Sequence, residues 1–388
     1  MDLISETKFT ENHFTDIKKL ITYYSFFLSI LLLCNCKKDI PKESPTVDRM
    51  VLIYMAANND LREDAIICLN KMEAGLNAGN QKLLVFIKTE TDYSFILRIK
   101  SDKNTKIVSD TIWRYSNENA ANPIFLSQVI KDARNLSSAE YYGLVLWSHA
   151  SSWAPSAATS ARTKSFGEDR GVEMDIIDMK NALPADFSYI IFDACSMASI
   201  EAIYELKDKA KYILASPTEV LSTSYPYEKI IPHLFGGVDQ LKLIAKEFMS
   251  YYRSMNGDFS SATISLINTQ ELLPLAKHMK ALLDVKEPKS DFNISNIQRL
   301  DFDGKTKVPA YDFLDFLQKN YDNNDYIVVY NQLNKAILYK DNTSSFLGRP
   351  INTFCGLSIY LPRENDVFKN YYSGLDWYTS GGSYNLFR

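Results

Sequence analysis

The chain has 388 residues, of which 46% are hydrophobic and 23% are charged, a composition typical of folded globular proteins and unlike that of disordered chains. Its 43 basic and 47 acidic residues give a formal net charge of −4. No run of Lys or Arg forms a basic face, so nucleic acid is not predicted to be a partner.

The beginning of the chain has the pattern of a bacterial export signal. Lys18 and Lys19 precede an apolar stretch, residues 20–33, that is shorter than the about 20 apolar residues of a membrane-spanning helix. It ends in Leu-Leu-Leu-Cys-Asn-Cys-Lys-Lys-Asp, which resembles a lipoprotein box, where a cysteine is lipidated and becomes the new N-terminus. We expect lipidation at Cys36, because a polar tail follows it directly, with Cys34 as the alternative. A plain signal peptide or a short anchor helix also fits the stretch.

The leader and a later change of pattern divide the chain into predicted segments. Residues 1–36 are the lipoprotein signal peptide, and residues 37–48, which contain two prolines, form a flexible tether. The pattern changes again near Asn256-Gly257-Asp258, which predicts a core over residues 49–257 and a smaller C-terminal subdomain over residues 258–388. The predicted location is the bacterial cell envelope, lipid-anchored at the periplasmic or surface face of the outer membrane, so the membrane is an expected partner.

After the tether, short apolar runs bounded by turn residues predict strands, and helical patterns alternate with them. The runs Tyr142–Trp147 and Tyr189–Phe192 are apolar at successive positions, which indicates strands covered on both faces. The alternation predicts an α/β sandwich around a mostly parallel sheet. The predicted strands are Met50–Ala56, Leu83–Lys88, Phe95–Ile99, Tyr142–Trp147, Tyr189–Phe192, Tyr212–Ala215, Ala262–Ile267 and Leu357–Leu361.

The helical patterns include one with a start signal. Asp60 followed by Glu63 predicts a capping box for a first helix. The apolar positions of this helix are Leu61, Ala65, Leu69 and Met72, and the further predicted helices are Pro123–Asn135, Ile200–Lys209, Asp239–Ser254 and Tyr311–Asn320.

Several enzyme classes are excluded because their motifs are missing. The chain has neither an H-E-x-x-H motif nor a His pair at ligand spacing, so a zinc hydrolase is not predicted and no metal ligands are assigned. It has no G-x-S-x-G elbow, Walker loop, G-x-G-x-x-G or C-x-x-C motif. A cysteine phosphatase would need Arg six residues after its nucleophile, but Glu201 stands there after Cys195. Cys68 and Cys355 are expected to be buried packing residues.

Two reactive side chains follow the two buried strands. His149 comes two residues after the run ending at Trp147, and Cys195 comes shortly after the run ending at Phe192. Groups at the carboxyl ends of neighbouring parallel strands converge on one crevice, so we expect the two side chains to meet. A predicted helix start after Cys195 and a nearby imidazolium would both stabilise its thiolate. The alternative is that Cys195 is a small core residue and His149 a hydrogen-bonded turn residue.

The sequence around these two residues resembles the clostripain-like cysteine peptidases. The segment Tyr189–Leu206 (YIIFDACSMASIEAIYEL) is similar to that family's nucleophile strand and helix, and GLVLWSHASSW to its histidine strand. VLIYMAANNDLREDA, ASPTEVLSTSYPYEKI, SFGEDRGVEMDI and GLSIYLP resemble four further blocks in the same order, from about Val51 to the C-terminus. The resemblance implies a caspase-like α/β/α sandwich, in agreement with the strand and helix patterns.

The resemblance also implies roles for individual residues. Cys195 would be the nucleophile and His149 its partner. Asp193 would lie near the primary specificity pocket, where a carboxylate attracts Arg or Lys; the alternative for Asp193 is a structural strand-end carboxylate. Thr218 and Glu219 would belong to a pocket wall. The family usually has Gly after the histidine, where Ala150 stands in this chain, and the backbone N–H of that residue helps to hold the oxyanion.

The leading hypothesis is therefore a secreted, lipid-anchored cysteine endopeptidase that cleaves proteins or peptides after Arg or Lys through a Cys-His dyad and a thioester acyl-enzyme. Its alternative is a catalytically inactive surface lipoprotein of the same family that binds peptides or glycans, which the Ala150-Ser151-Ser152 departure favours. Some relatives cleave themselves between the His and Cys strands, and Arg162 and Lys164 lie in that interval. The chemistry requires no cofactor. Calcium supports some relatives, but no acidic cluster matches an EF-hand loop, so no calcium site is assigned.

Overall fold

The computed structural model of the chain describes residues 49–77, 82–154, 165–289, 293–302, 308–362 and 367–387. The predicted lipidation residues Cys36 and Cys34 and the predicted cleavage residues Arg162 and Lys164 lie outside these ranges. The strands are β1 (Arg49–Ala56), β2 (Lys82–Lys88), β3 (Tyr93–Arg98), β4 (Asp110–Ser116), β5 (Tyr141–Trp147), β6 (Phe166–Asp169), β7 (Val172–Met174), β8 (Phe187–Asp193), β9 (Ala210–Ala215), β10 (Thr263–Asn268), β11 (Tyr311–Asp312), β12 (Ile337–Asn342), β13 (Ser345–Phe346), β14 (Arg349–Pro350) and β15 (Ser358–Ile359).

The helices alternate with these strands over most of the chain. They are α1 (Arg62–Gly75), α2 (Pro123–Leu136), α3 (Ile176–Ala182), α4 (Ile200–Glu205), α5 (Tyr227–Ile230), α6 (Val238–Arg253), α7 (Leu272–Val285), α8 (Phe313–Asn320), α9 (Asn323–Ala336), α10 (Lys369–Tyr372) and α11 (Asp376–Ser380). Short 3₁₀ turns cover Ile231–Phe235, Gly257–Phe259, Thr269–Glu271, Ile294–Asn296 and Ser383–Phe387. Within the described ranges, no helix is both long enough and apolar enough to cross a bilayer.

A nine-stranded sheet runs through the centre of the molecule in the order β12-β10-β9-β8-β5-β1-β2-β3-β4. The five strands from β9 to β2 are parallel neighbours, which confirms the predicted parallel centre. Both edges are antiparallel, through β3 and β4 on one side and β10 and β12 on the other. The central strands are buried on both faces, which is why their sequences are apolar at successive positions.

Helices cover both faces of the sheet. On one face, alternate β1 side chains such as Val51 and Ile53 share a core with α1 and α6. On the other face, Tyr54 stacks on Phe86 with ring centroids 4.3 Å apart, and Phe86 meets Phe125 of α2 at 5.6 Å. Burial of one such large apolar side chain contributes roughly 1.5–3 kcal/mol to folding, so this two-sided core holds the central strand ends rigidly. The predicted α/β sandwich is confirmed.

The C-terminal part of the chain contributes strands to the same sheet. β10 pairs with β9, and β12 pairs with β10, so residues on both sides of the predicted 257/258 boundary share one sheet. The described residues from Arg49 to Phe387 belong to one compact unit. β12 was not predicted, because this half-exposed edge strand carries Lys340, Asp341 and Asn342 rather than an apolar run.

Two predicted elements near the C-terminus have different bounds in the structure. The predicted strand Leu357–Leu361 is reduced to β15, which pairs with β11 outside the large sheet and forms a single bridge from Ser358 to Ser199. The predicted helix Tyr311–Asn320 begins at Phe313, because β11 takes its first two residues and Asp312 caps the helix by accepting the N–H of Asp315 at 2.9 Å. Both differences arise from pairing between segments distant in sequence.

Candidate active site

The two residues predicted to react lie at the ends of neighbouring parallel strands. β5 pairs with β8 in a register that places Trp147 opposite Asp193. His149 and Cys195 each follow this pair by two residues, and the N–H of Ser148 donates to the carbonyl of Asp193 at 3.4 Å. The sheet therefore delivers both residues to its carboxyl edge side by side, as the strand patterns predict.

Cys195 sits in a turn that a neighbouring segment holds through backbone contacts. Its half-buried Sγ accepts the N–H of Val220 at 3.3 Å. The N–H of Ser196 donates to Thr218 at 2.8 Å, and that of Ala198 to Ser216 at 3.0 Å. These bonds fasten the nucleophile turn to residues 216–220, which follow β9.

The helix predicted after Cys195 begins at its predicted first residue, Ile200, and a turn over residues 195–198 separates it from Cys195. Ser199 caps α4, and its hydroxyl accepts the N–H of Ala202 at 3.2 Å. The helix ends at Glu205 rather than at the predicted Lys209. The donor beside the sulfur is therefore the backbone of Val220 and not a helix terminus.

Thr218 and Glu219 lie beside the nucleophile turn, but their side chains point into the protein. The fully buried Thr218 hydroxyl lies 2.8 Å from the hydroxyl of Thr263 and 3.1 Å from that of Ser216. Glu219 accepts the N–H of Phe302 through Oε1 at 3.0 Å. Their place in a pocket wall stays a prediction, and only their backbone lies next to the Cys195 turn.

Asp193 is a buried carboxylate directly behind the nucleophile turn. Its side chain accepts hydrogen bonds from the hydroxyl of Tyr227, at 2.8 Å, and from that of Ser224. The indole N–H of Trp147 donates to Ser224 at 3.0 Å, which ties this group to β5. Burial raises the pKa of Asp193 to about 6, although the bonds from Ser224 and Tyr227 work in the opposite direction. A carboxylate in this environment is stabilised by any cation that approaches it.

His149 has a carboxylate partner, Asp60, which the sequence pattern assigns to the cap of the first helix. Its Nε2 lies 2.5 Å from Oδ1 of Asp60, in the loop between β1 and α1. The predicted capping box of Asp60 and Glu63 is wrong, because the N-cap residue of α1 is Leu61 and no side chain caps it. The first turn is organised instead by Asn59, whose Oδ1 accepts the N–H of Leu61 at 2.9 Å.

The loop that carries Asp60 is fastened to the β6–β7 hairpin. Asn59 donates through Nδ2 to the carbonyl of Glu168 at 2.9 Å, and Asn58 donates to Oδ1 of Asp169 at 2.7 Å. The hydroxyl of Ser148 donates to the carbonyl of Ala56 at 2.6 Å and accepts the N–H of Glu168 at 3.2 Å. The sequence signal for this network was the polar Asn-Asn-Asp directly after a buried strand.

Ala150 follows His149 in an ordinary backbone conformation. The N–H of Gly167 donates to the carbonyl of His149 at 2.9 Å, and that of Ser151 to Ser165 at 3.3 Å, so Ala150 bridges to Phe166. The left-handed conformation occurs instead at Ser152, with φ of 71°, whose hydroxyl lies 2.5 Å from that of Ser199. Glycine is therefore not required at position 150.

Among the described residues, one group of three side chains could hold a metal ion. Ligand atoms of Asp60, His149 and Glu168 lie within 4.8 Å of one another. One imidazole with two carboxylates suits a transition metal better than calcium, which prefers oxygen ligands alone. The acidic cluster at the start of α9 is paired with lysines, Asp322 with Lys289 at 3.2 Å and Asp325 with Lys286 at 3.0 Å.

Comparisons with known proteins agree with this geometry. The sequence profile of the clostripain family of peptidases matches residues 53–385. The chain belongs to the clostripain family. The match includes the histidine and nucleophile strands as well as the β6–β7 hairpin and the C-terminal elements. Within this family the caspase-like fold expected from the sequence is the observed one.

Solved structures of clostripain-family proteases resemble the chain along nearly all of their own length. A secreted C11 cysteine protease from Bacteroides thetaiotaomicron, bound to an irreversible peptide inhibitor, is 26% identical with a TM-score of 0.74, covering 86% of this chain and 99% of that one. An inactive zymogen C11 protease from Parabacteroides distasonis is 29% identical with a TM-score of 0.76, covering 87% and 99%. The comparison with curated proteins finds no significant match.

Proposed function

We propose that this protein is a cysteine endopeptidase that cleaves proteins or peptides after Arg or Lys, with Cys195 as nucleophile and His149 as the acid and base. The observation that carries the proposal is the register of β5 and β8, which brings a thiol and an imidazole to adjacent strand ends. Membership of a peptidase family supports the same chemistry.

The reaction proceeds through a thioester. The Cys195 thiolate attacks the carbonyl carbon of the scissile bond, and the carbonyl oxygen becomes an oxyanion to which the backbone N–H of Ala150 donates. The C–N bond then breaks, and the leaving amine takes the proton of the His149 imidazolium. Neutral His149 next removes a proton from water, whose oxygen attacks the thioester and releases the acid product and the thiolate. The N–H of Val220 stabilises that thiolate between turnovers.

Asp193 is the proposed determinant of Arg or Lys specificity. It lies two residues before the nucleophile, and burial raises its pKa to about 6, so its ionised form gains from a cationic partner. The guanidinium of a substrate Arg would supply that partner and form charge-assisted hydrogen bonds. Its bonds to Ser224 and Tyr227 hold the carboxylate in one place, as a specificity determinant requires.

The proposed location is the bacterial cell envelope, with a lipid at Cys36 as the membrane anchor. Secreted relatives among the solved structures are consistent with export. Cys36→Ser should move the protein from the membrane fraction to the soluble fraction, whereas Cys34→Ser should not. Maturation by self-cleavage at Arg162 or Lys164 is a second proposal, and an intact band from active protein, unchanged by Cys195→Ala, would rule it out.

The function is tested with fluorogenic peptides that carry Arg, Lys, Ala or Asp before the scissile bond. Residues 37–388 would be assayed with and without calcium, beside the Cys195→Ala variant. Turnover confined to Arg or Lys and lost in the variant supports the proposal. No turnover on any peptide by folded protein would favour a catalytically inactive binding protein, although the ordinary backbone conformation of Ala150 removes one argument for that function.

A further inference from the structure

We propose that Asp60 is a positioning residue for His149, so that catalysis depends on a Cys195–His149–Asp60 triad rather than on a dyad alone. This inference rests on the proposed peptidase function. The observation behind it is the 2.5 Å contact between Oδ1 of Asp60 and Nε2 of His149.

The contact determines which imidazole nitrogen takes part in proton transfer. An imidazole that donates one N–H to a carboxylate is held in a single tautomer and a single ring orientation. With Nε2 donating to Asp60, Nδ1 is the nitrogen that exchanges protons with the thiol, the leaving amine and water. The Asp60 carboxylate also stabilises the imidazolium of the resting thiolate–imidazolium pair, which later gives its proton to the leaving amine.

The loop around Asp60 is built to keep this carboxylate in position. Asn58 and Asn59 tie it to Asp169 and to the carbonyl of Glu168, and Asn59 also donates to the carbonyl of Ala56 at 3.2 Å. Both amide side chains therefore brace the loop against β1 and the hairpin. A surface helix needs no such bracing at its first turn, so the arrangement is explained by the position of Asp60 against His149.

Two carboxylates face the imidazole from different elements. Asp60 approaches from the loop after β1, and Glu168 from β6, with ligand atoms of all three side chains within 4.8 Å. Asp60 makes the hydrogen bond, and its side chain is 81% exposed while that of His149 is 28% exposed. Solvent weakens a pair of this kind, so we expect an effect smaller than the about 10⁴-fold loss seen for a buried triad carboxylate.

The experiment compares Asp60→Ala, Asp60→Asn and Asp60→Glu with the matched control Glu63→Gln, which removes an exposed charge from the adjoining first turn of α1. On an Arg peptide, Asp60→Ala should lower kcat about 10–100-fold with little change in KM. Asp60→Asn should lie between Asp60→Ala and wild type, because its amide oxygen still accepts the hydrogen bond without the charge. Asp60→Glu should recover most of the activity, and Glu63→Gln should match wild type.

A spectroscopic readout separates positioning from a merely structural role. Nitrogen NMR of the imidazoles in a Cys195→Ala background should show the Nε2–H tautomer of His149, and a mixture of tautomers once Asp60→Ala is added.

The outcomes separate this inference from the proposed function. An active wild-type enzyme that loses less than twofold in kcat with Asp60→Ala overturns the triad and leaves the peptidase intact. If no peptide is cleaved, the NMR measurement still decides, because a tautomer that is unchanged by Asp60→Ala excludes the positioning role. A change in melting temperature without a change in kcat or tautomer would also overturn it.

Discussion

The two sides of the active site are held in place by different means. On the nucleophile side, one contiguous segment, residues 216–220, fixes the Cys195 turn through backbone N–H and carbonyl groups. On the histidine side, the backbone N–H of Gly167 holds the carbonyl of His149, and side chains of the loop 58–60, of Ser148 and of the β6–β7 hairpin position the loop whose Asp60 contacts the imidazole. Cys195 follows a residue with a buried carboxylate, Asp193, by two positions, whereas the imidazole of His149 contacts an exposed carboxylate, that of Asp60.

This difference determines how each side should respond to mutation. A backbone contact does not depend on the side chain, so substitution of the half-buried Val220 should leave its N–H contact with Cys195 in place. Each side-chain contact can be removed by a single substitution, so substitutions on the histidine side should lower activity in graded steps. Buried charge makes the nucleophile side sensitive to pH, because a buried carboxylate that ionises costs free energy of folding.

The largest expected effect tests whether the nucleophile side is catalytic at all. Cys195→Ala should lower kcat by about 10⁴-fold or more on Arg peptides, because no other group can form the thioester. The melting temperature should change little, because this half-buried thiol is small. Activity that persists in this variant would assign the nucleophile to another residue.

Asp193→Asn tests the buried carboxylate as a specificity determinant. Loss of one member of a buried ion pair costs about 3–5 kcal/mol, so kcat/KM for Arg peptides should fall about 10²–10³-fold. A peptide with the neutral residue norleucine before the scissile bond should be cleaved as by wild type. Because the pKa of Asp193 is raised to about 6, the ratio of kcat/KM for the Arg peptide to kcat/KM for the norleucine peptide should also fall in wild type as the pH drops through 6. The ratio cancels every effect of pH that the two peptides share.

The Asn variant is its own control for this pH dependence, since its ratio should not vary with pH. A wild-type ratio that is flat between pH 5 and pH 7, the range about the pKa of about 6, would give Asp193 a structural role only.

Glu201→Gln tests how much free energy of folding a buried charge on the nucleophile side costs, and its measurement is stability rather than activity. This fully buried residue of α4 accepts the N–H of Tyr360 at 2.9 Å and the hydroxyl of Tyr372 at 3.1 Å. Burial raises its pKa from 4.5 to about 7, so the wild-type fold binds this proton more tightly than the unfolded chain and loses stability as the pH rises from 4.5 to 7. At about 1.4 kcal/mol per pKa unit, the loss is roughly 3 kcal/mol.

The Gln variant keeps an oxygen acceptor without the charge. Its melting temperature relative to wild type should therefore rise by several degrees between pH 4.5 and pH 7, as calorimetry would show. A gap between the two melting temperatures that stays constant with pH would contradict this account.

The smallest expected effect concerns the histidine side. Ala150→Gly restores the residue usual in the family, but Ala150 already has an ordinary backbone conformation. We therefore expect kcat/KM within about threefold of wild type, since no backbone strain is relieved. A gain of tenfold or more would show that Ala150 does restrict the oxyanion geometry.

The sequence predicts the positions of Cys195 and His149 in the sheet better than the contacts around them. Runs of successive apolar residues identify β5 and β8, and parallel strand ends place His149 beside Cys195 without further information. The contact of Val220 with the sulfur has no sequence signature, because it is made by a backbone group. The predicted start of the next helix at Ile200 is confirmed, but its predicted end at Lys209 is wrong, because α4 ends at Glu205.

On the histidine side, the predicted capping box is wrong because tertiary contacts override the local pattern. Asp60 and Glu63 have the spacing of a capping box, whereas tertiary contacts draw Asp60 to His149 and leave the first turn of α1 to Asn59. The β6–β7 hairpin belonged to a recognised block, but its role depends on hydrogen bonds between residues about 110 positions apart. Such contacts follow from the fold and not from local pattern.

The most direct test of the central claim is labelling of residues 37–388, which contain three cysteines, with an irreversible peptide ketone that ends in Arg, followed by mass spectrometry of the thiol adducts. Cys68 and Cys355 provide internal controls, because both are buried and burial raises the pKa of Cys68 to about 12 and that of Cys355 further. We predict one adduct, on Cys195. Its formation should be much slower in His149→Ala and should be blocked by excess Arg peptide. Equal labelling of all three thiols, or none from folded protein, would contradict the assignment of Cys195 and His149 as a catalytic pair.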